Sequence, residues 1–176
     1  GASNTLITLG LKWAIVVGLI DIFKGFIVAY VLRQLYDFND AYSILSGLAV
    51  ILGHIYPVYF QFKGGKGTAT FFGLMLGLNP LVGILFILIF AASLFIFKYV
   101  AIASLIVVWL APLYIFLFED VLGISIIFMV LFAILSVLKH KSNLLNIIRH
   151  NETSVYDVLK KSNTKRVLLF PYKLII

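Results

Sequence analysis

Long, nearly uncharged apolar runs constrain this chain more than any other feature of its sequence. A helix needs about 20 apolar residues to cross a bilayer, and an open chain satisfies its backbone groups in lipid only as a helix. Since 62% of the 176 residues are hydrophobic and 12% are charged, we predict an all-α integral membrane protein with about six transmembrane helices. The six predicted segments are Leu9 to Leu32, Ser43 to Phe60, Thr68 to Leu78, Pro80 to Phe97, Tyr99 to Phe118 and Val121 to Leu138.

The Asn79-Pro80 step divides an apolar run that is too long for one crossing. Proline starts a helix well and continues one badly, so we predict a short helix before this step and a longer one after it. The alternative is a single span from Leu78 to Phe97 preceded by a re-entrant stretch, which leaves five crossings.

The distribution of charge favours six crossings. Cytoplasmic loops of membrane proteins accumulate lysine and arginine, and five crossings would put the strongly basic tail outside. With six crossings the net charge of +7 is explained by topology, so no nucleic-acid partner is expected. The predicted cytoplasmic side then carries Lys12, Lys63, Lys66, Lys98 and the tail from Lys139, and the opposite side carries Asp37, Asp40, Glu119 and Asp120.

A glycine-rich turn with two lysines interrupts the apolar sequence between Gly53 and Thr70. Glycine backbones approach a ligand closely and form concave sets of N–H donors, and lysines add full positive charge. The residues of this predicted phosphate site are Gly64, Gly65, Gly67, Lys63 and Lys66, with the hydroxyls of Thr68 and Thr70 at the start of the next helix. The spacing is not that of a nucleotide P-loop, because a glycine follows the second lysine. A basic turn that only sets topology is the alternative.

Three ionisable residues lie inside or beside apolar segments. Asp21 and Lys24 are spaced i, i+3 and can pair on one helix, and we favour a structural pair over a functional one. His54 precedes Pro57, and we favour a structural role for it, for example through a bond from its ring to a backbone carbonyl that the proline frees.

A polar stretch follows the last apolar run. His140 and Asn143 share a helical face at i, i+3 and can both reach one hydroxyl or phosphate, and Glu152 lies twelve residues beyond His140. The alternative is a basic helix that binds anionic lipid headgroups. We divide the chain into a membrane domain, 1–150, and a basic tail, 151–176, that lies on the membrane surface.

Metal and redox chemistry have no basis in this sequence. The chain has no cysteine, and its three histidines are scattered, so no disulfide, metal site or cofactor is expected.

Several of these motifs together resemble one family. GASN near the start, DIFKG in the first helix, GHIYPVYFQFKGGKGTAT, YVAIAS and the H-x-x-N motif near the end resemble the PlsY family of bacterial glycerol-3-phosphate acyltransferases, from Gly1 to Glu152. The resemblance implies transfer of a fatty acyl group from acyl phosphate to the sn-1 hydroxyl of glycerol 3-phosphate, giving lysophosphatidic acid for phospholipid synthesis. It also implies a multi-pass protein of the bacterial inner membrane with its active face and C-terminus in the cytoplasm. The family fold has seven helices, and this chain resembles it without the first.

The resemblance also assigns roles to single residues. Lys66 would bind the substrate phosphate with Lys63 and Asn4, the backbone of the three glycines would bind acyl phosphate, and glycerol contacts would come from the catalytic group His140, Asn143 and Ser104. Asp21, Lys24, His54 and Glu152 fall in the family motifs without an assigned contact. No metal or acyl-CoA is implied, and the partners are the two substrates and membrane lipids.

Four positions depart from the family pattern. The family has arginine where this chain has Ile7 and Asn146, glycine at His150 and serine at Ala101. Arg149 is a candidate to replace one of the missing cations. Two alternatives to the enzyme stay open on these grounds: a degenerate relative that acts as a membrane binding or scaffold protein, and a small anion transporter.

Overall fold

A computed structural model describes residues 1–35, 40–118 and 123–157. Every regular element in these ranges is a helix, as the sequence predicts. They are α1 Ala2–Leu9, α2 Leu11–Leu35, α3 Asp40–Ile55, a 3₁₀ turn Val58–Phe60, α4 Thr68–Leu78, α5 Pro80–Phe97, α6 Val100–Phe118 and α7 Gly123–Ile148.

All six predicted apolar segments form helices, and five are long and apolar enough to cross a membrane. The sixth, α4, has 11 residues and a length of about 16 Å, roughly half of the hydrocarbon core. Most of its residues are buried. The protein is therefore a multi-pass membrane protein in which one short helix is enclosed by longer ones.

Several helix boundaries differ from the prediction, and three of the differences change how the chain is organised. The short helix α1 precedes α2, because Gly10 takes a positive φ of 87° and separates the two. The predicted second segment divides at Pro57, after which a 3₁₀ turn replaces the α-helix. Helix α7 continues to Ile148, ten residues beyond the predicted Leu138, so its last turns carry the polar stretch.

The predicted break at Asn79-Pro80 is confirmed. Asn79 is the N-cap of α5, and its Oδ1 accepts hydrogen bonds from the N–H groups of Leu81 at 3.1 Å and Val82 at 3.3 Å. Pro80 is the first residue of the helix, where its missing N–H costs no bond.

Glycines bring α4 against α2 at very short range. A Cβ at Gly73 or Gly77 would clash with the backbone of α2, and a Cβ at Gly25 would clash with the backbone of α4 at Thr70. On its other sides α4 packs through Phe71, whose ring lies 5.9 Å from those of Phe86 in α5 and Phe132 in α7. These contacts fix α4, and with it the turn that precedes α4.

The residues that follow α7 return across the end of the bundle. The N–H of Val155 donates to the carbonyl of Lys98, at the end of α5, at 3.1 Å. Glu152 and Val155, which lie just beyond the division predicted at residue 150, therefore both contact the helical part of the chain. Most of the predicted surface tail, from residue 158 onward, lies outside the described residues, as do Asp37, Glu119 and Asp120. Of Asp40, the structure describes the backbone only.

Candidate functional site

The glycine-rich turn is held against the end of α3. Gly64 N–H donates to the carbonyl of Ile55 at 3.1 Å, and Gly65 N–H donates to the carbonyl of His54 at 3.2 Å. A Cβ at Gly64 would clash with the His54 carbonyl and the Pro57 ring. Two of the three glycine amides that we predicted as ligand donors therefore bond to the protein itself, because the turn closes the end of α3.

Gly67 forms the start of α4. Its φ of 88° lies in the left-handed region that favours glycine, it is buried, and its carbonyl accepts from Phe71 N–H at 2.8 Å. The first N–H groups of a helix have no partner within the helix and attract anions. Thr70, predicted to donate its hydroxyl, is fully buried, and its Oγ1 has no hydrogen-bond partner among the described residues.

A polar chain joins this turn to α7 and to the returning segment. Lys66 Nζ donates to Asn143 Oδ1 at 2.5 Å, and Asn143 Nδ2 donates to Glu152 Oε1 at 2.7 Å. Three predicted residues from distant parts of the sequence therefore meet. Lys63, the other lysine of the turn, is exposed.

The environment of Lys66 weakens its hold on a proton. Burial lowers the pKa of Lys66 from the ordinary value of a lysine, and the negative charge of Glu152 opposes part of this shift. A half-buried ammonium of this kind has lost part of its hydration. Its electrostatic attraction for a bound anion is therefore stronger than that of an exposed lysine.

His140 lies beside this chain and is almost fully buried. It interacts electrostatically with Lys66 and Glu152, and its Nδ1 lies 2.9 Å from the carbonyl oxygen of Ser136. Because a carbonyl only accepts, Nδ1 must carry a proton. In the neutral ring Nε2 is then the acceptor, which is the state that a general base requires.

A second polar cluster lies behind the turn. Lys24 Nζ lies 2.6 Å from Asp21 Oδ1, so the predicted pair is present. The same ammonium lies 2.5 Å from His54 Nδ1, which is also 3.3 Å from Asp21 Oδ1. The ring of His54 contacts the charged pair in α2, a partner that we did not predict, and the backbone carbonyl of His54 accepts from the turn.

The remaining predicted residues are less closely connected. Ser104 is fully buried in the first turns of α6, and its Oγ has no hydrogen-bond partner among the described residues. Asn4 is exposed in α1. Gly1, the residue before this helix, lies beside the turn, since a Cβ on Gly1 would lie 3.5 Å from Gly65 Cα. Arg149 is exposed at the end of α7.

Sequence reasoning did not place Glu152 at the lysine. Its separation of 86 positions from Lys66 gives no periodic signal, and the contact depends on the chain reversing after α7. The only hint in the sequence was the H-x-x-N motif followed by an acidic residue. Among the described residues, no group of three or more His, Cys, Asp or Glu side chains gathers as a metal site would require.

Many known proteins are similar to this chain in sequence. Residues 1–150 match the family model described as glycerol-3-phosphate acyltransferase. The glycerol-3-phosphate acyltransferase of Staphylococcus aureus strain Newman is 35% identical over 162 residues, covering 88% of this chain and 79% of the relative. That of Wolbachia pipientis subsp. Culex pipiens strain wPip is 34% identical over 152 residues, covering 86% and 78%.

Solved structures give the same result. The glycerol 3-phosphate form of PlsY, an integral membrane glycerol 3-phosphate acyltransferase, superposes with a TM-score of 0.80 at 30% identity, over 88% of this chain and 76% of PlsY. The lysophosphatidic acid form gives a TM-score of 0.79 over 90% and 82%. Because the family model matches most of the chain and the sequence relatives and the solved fold agree with it, this protein belongs to the glycerol-3-phosphate acyltransferase family.

Proposed function

We propose that this chain transfers a fatty acyl group from acyl phosphate to the sn-1 hydroxyl of glycerol 3-phosphate. The observation that carries the proposal is the polar chain Lys66–Asn143–Glu152, which lies beside His140 at the start of α4. One crystallised relative is described in a glycerol 3-phosphate form and in a lysophosphatidic acid form, which are a substrate and the product of this reaction.

The first requirement of the reaction is to hold phosphate. Both proposed substrates carry one, and Lys66 supplies a partly desolvated cation next to the N-terminus of α4. Without substrate, the Lys66 ammonium donates a hydrogen bond to Asn143 Oδ1. We propose that a substrate phosphate takes over this contact and that Asn143, held by Glu152, turns to the glycerol hydroxyls.

The transfer needs little further activation. The sn-1 oxygen attacks the acyl carbonyl carbon and forms the ester C–O bond, and the C–O bond to phosphate breaks with inorganic phosphate as the leaving group. The charge that develops on the carbonyl oxygen requires donors, which Lys66 and the amides at the start of α4 supply. No acyl-enzyme is proposed, because acyl phosphate is already activated.

Two routes are open to the proton of the sn-1 hydroxyl. It passes to a phosphate oxygen of a substrate, or it passes to His140 Nε2, which the Ser136 contact leaves unprotonated. A His140→Gln variant separates them. Loss of the acid limb of the rate profile in this variant supports the histidine, and an unchanged profile supports the phosphate.

The acyl donor provides the direct test of the proposed function. The chain is reconstituted in liposomes and given labelled glycerol 3-phosphate with either acyl phosphate or acyl-CoA of the same chain length. We expect labelled lysophosphatidic acid with acyl phosphate only. Equal product with acyl-CoA contradicts the proposed donor, and no product with either contradicts the enzyme and favours the degenerate relative.

We also propose that the site faces the cytoplasm of a bacterium, across the inner membrane. The site, Lys98 and the end of α7 lie at one end of the bundle, and this end also carries Lys63 and Lys139. Since the chain has no cysteine, single cysteines report topology directly. Lys63→Cys and Lys141→Cys should react with a probe on the cytoplasmic side and Asp120→Cys on the other, and the reverse labelling contradicts the assignment.

A further inference from the structure

The proposed transfer leaves one ionised cluster without a role. Asp21 and Lys24 lie in α2, and His54 lies in α3, behind the glycine turn. The side chains of Asp21 and His54 are 8% and 10% exposed. Charges within membrane helices are costly, and a simple pair between Asp21 and Lys24 already offsets this cost. The presence of His54 beside this pair therefore needs a separate explanation.

The contacts of Lys24 define the state of His54. An ammonium only donates hydrogen bonds, and Lys24 Nζ lies 2.5 Å from His54 Nδ1, closer than Asp21 Oδ1 at 3.3 Å. His54 Nδ1 is therefore the acceptor, the ring is neutral, and its proton is on Nε2. Asp21 in turn holds Lys24 at 2.6 Å. The pair in α2 thus fixes both the tautomer and the direction of the ring.

The opposite edge of the same ring supports the turn. A Cβ at Gly65 would collide with His54 Nε2, so the Gly65 backbone rests directly on the imidazole. The carbonyl of His54 also accepts from Gly65 N–H at 3.2 Å. His54 consequently holds Gly65 from its side chain and its backbone, one residue before Lys66.

We propose that Asp21, Lys24 and His54 form a positioning cluster for Lys66. Lys24 orients the ring, the ring supports Gly65, and Gly65 sets where the Lys66 ammonium meets Asn143 and the substrate phosphate. None of the three touches substrate, so they are positioning residues and not catalytic ones. The inference rests on the proposed function for the identity of the phosphate, and it adds a support that neither the family motifs nor the polar chain describes.

A cycle of variants tests whether the ring acts through Gly65. The reconstituted full chain is compared as wild type, His54→Ala, Gly65→Ala and the double variant, with Gly53→Ala as the control because a Cβ there meets nothing within 4 Å. We expect Gly65→Ala and His54→Ala each to raise the KM for glycerol 3-phosphate by about tenfold with a smaller change in kcat. The control should match the wild type.

The double variant shows whether His54 and Gly65 act together or independently. If the methyl group of Gly65→Ala acts only by displacing the His54 imidazole, it has no effect in a protein that lacks this imidazole. The double variant should then have the same KM for glycerol 3-phosphate as His54→Ala. Multiplied effects would show that the two residues act independently and would overturn the proposal. A loss in kcat with unchanged KM would also overturn it, because positioning of a phosphate-binding cation acts on affinity.

A spectroscopic measurement keeps the test separate from activity. Solid-state ¹⁵N NMR of the wild type in lipid resolves the three histidines, which His140→Gln and His150→Gln variants assign. We expect His54 to show a protonated Nε2 and a bare Nδ1, and Lys24→Met to abolish this pattern. A protonated Nδ1 in the wild type overturns the proposal. If the wild type has the expected pattern but no turnover, the proposed function fails and the cluster stands.

Discussion

At the scale of single residues, Lys66 makes the activity sensitive to alkaline pH. Only its ammonium form binds phosphate, and burial lowers its pKa, so this form is lost at a lower pH than for an exposed lysine. We expect the KM for glycerol 3-phosphate to rise as pH increases through that pKa. Steady-state kinetics of Lys66→Arg provide the check, since arginine stays charged and the rise should disappear.

Removing the charge of Glu152 should move the pH at which KM rises in a direction that can be tested. Its charge raises the pKa of Lys66 against the effect of burial. In Glu152→Gln the ammonium is therefore lost at still lower pH, and the rise in KM should move toward neutrality. A shift in the opposite direction would show that Glu152 does not act on Lys66.

Ile7 tests whether a cation has been lost from this site. The resemblance implies an arginine at this position, which lies in α1, the helix that follows Gly1 beside the turn. An arginine that reaches the site would add a bidentate phosphate contact. We expect Ile7→Arg to lower the KM for glycerol 3-phosphate by about tenfold. Thr8→Arg is the control for added charge on the same helix. Equal effects of the two variants would indicate general attraction of the anion, with no specific contact.

At the scale of helices, α4 depends on contacts that a methyl group would prevent. A Cβ at Gly73 clashes with the backbone of α2, which cannot move aside as a side chain would. Gly73→Ala should destabilise the protein by about 1 to 3 kcal/mol, and Gly53→Ala, with open space around it, should not. Thermal unfolding in detergent measures both, and equal melting temperatures would contradict the packing described for α4.

The sequence predicted the helices better than the site. Apolar length and the Asn79-Pro80 step were sufficient for α4 and α5, because proline and a capping side chain act locally. The hydrogen bonds by which the Gly64 and Gly65 amides close α3 were not predicted, since glycine spacing alone does not show which acceptor an amide meets. Pairing of Asp21 with Lys24 followed from i, i+3 spacing, whereas the partnership of Lys24 with His54 required two helices to meet.

At the scale of the whole molecule, the residues of the polar chain meet at one end of the described bundle. Lys66 from the turn, Asn143 from α7 and Glu152 from the returning segment meet there, and Val155 ties that segment to α5. An anion transporter would instead need polar groups along a path through the bilayer. The arrangement fits a reaction at one membrane surface between a water-soluble acceptor and a lipid-like donor.

The most direct test compares the two lysines of the turn in one assay. Wild type, Lys66→Met and Lys63→Met are reconstituted in liposomes, and formation of lysophosphatidic acid from acyl phosphate and glycerol 3-phosphate is measured. Loss of a charge-assisted contact of about 1.5 to 3 kcal/mol should lower kcat/KM of Lys66→Met by roughly one to two orders of magnitude, and the exposed Lys63 should matter little. Equal activity of Lys66→Met and the wild type would contradict a phosphate site at Lys66.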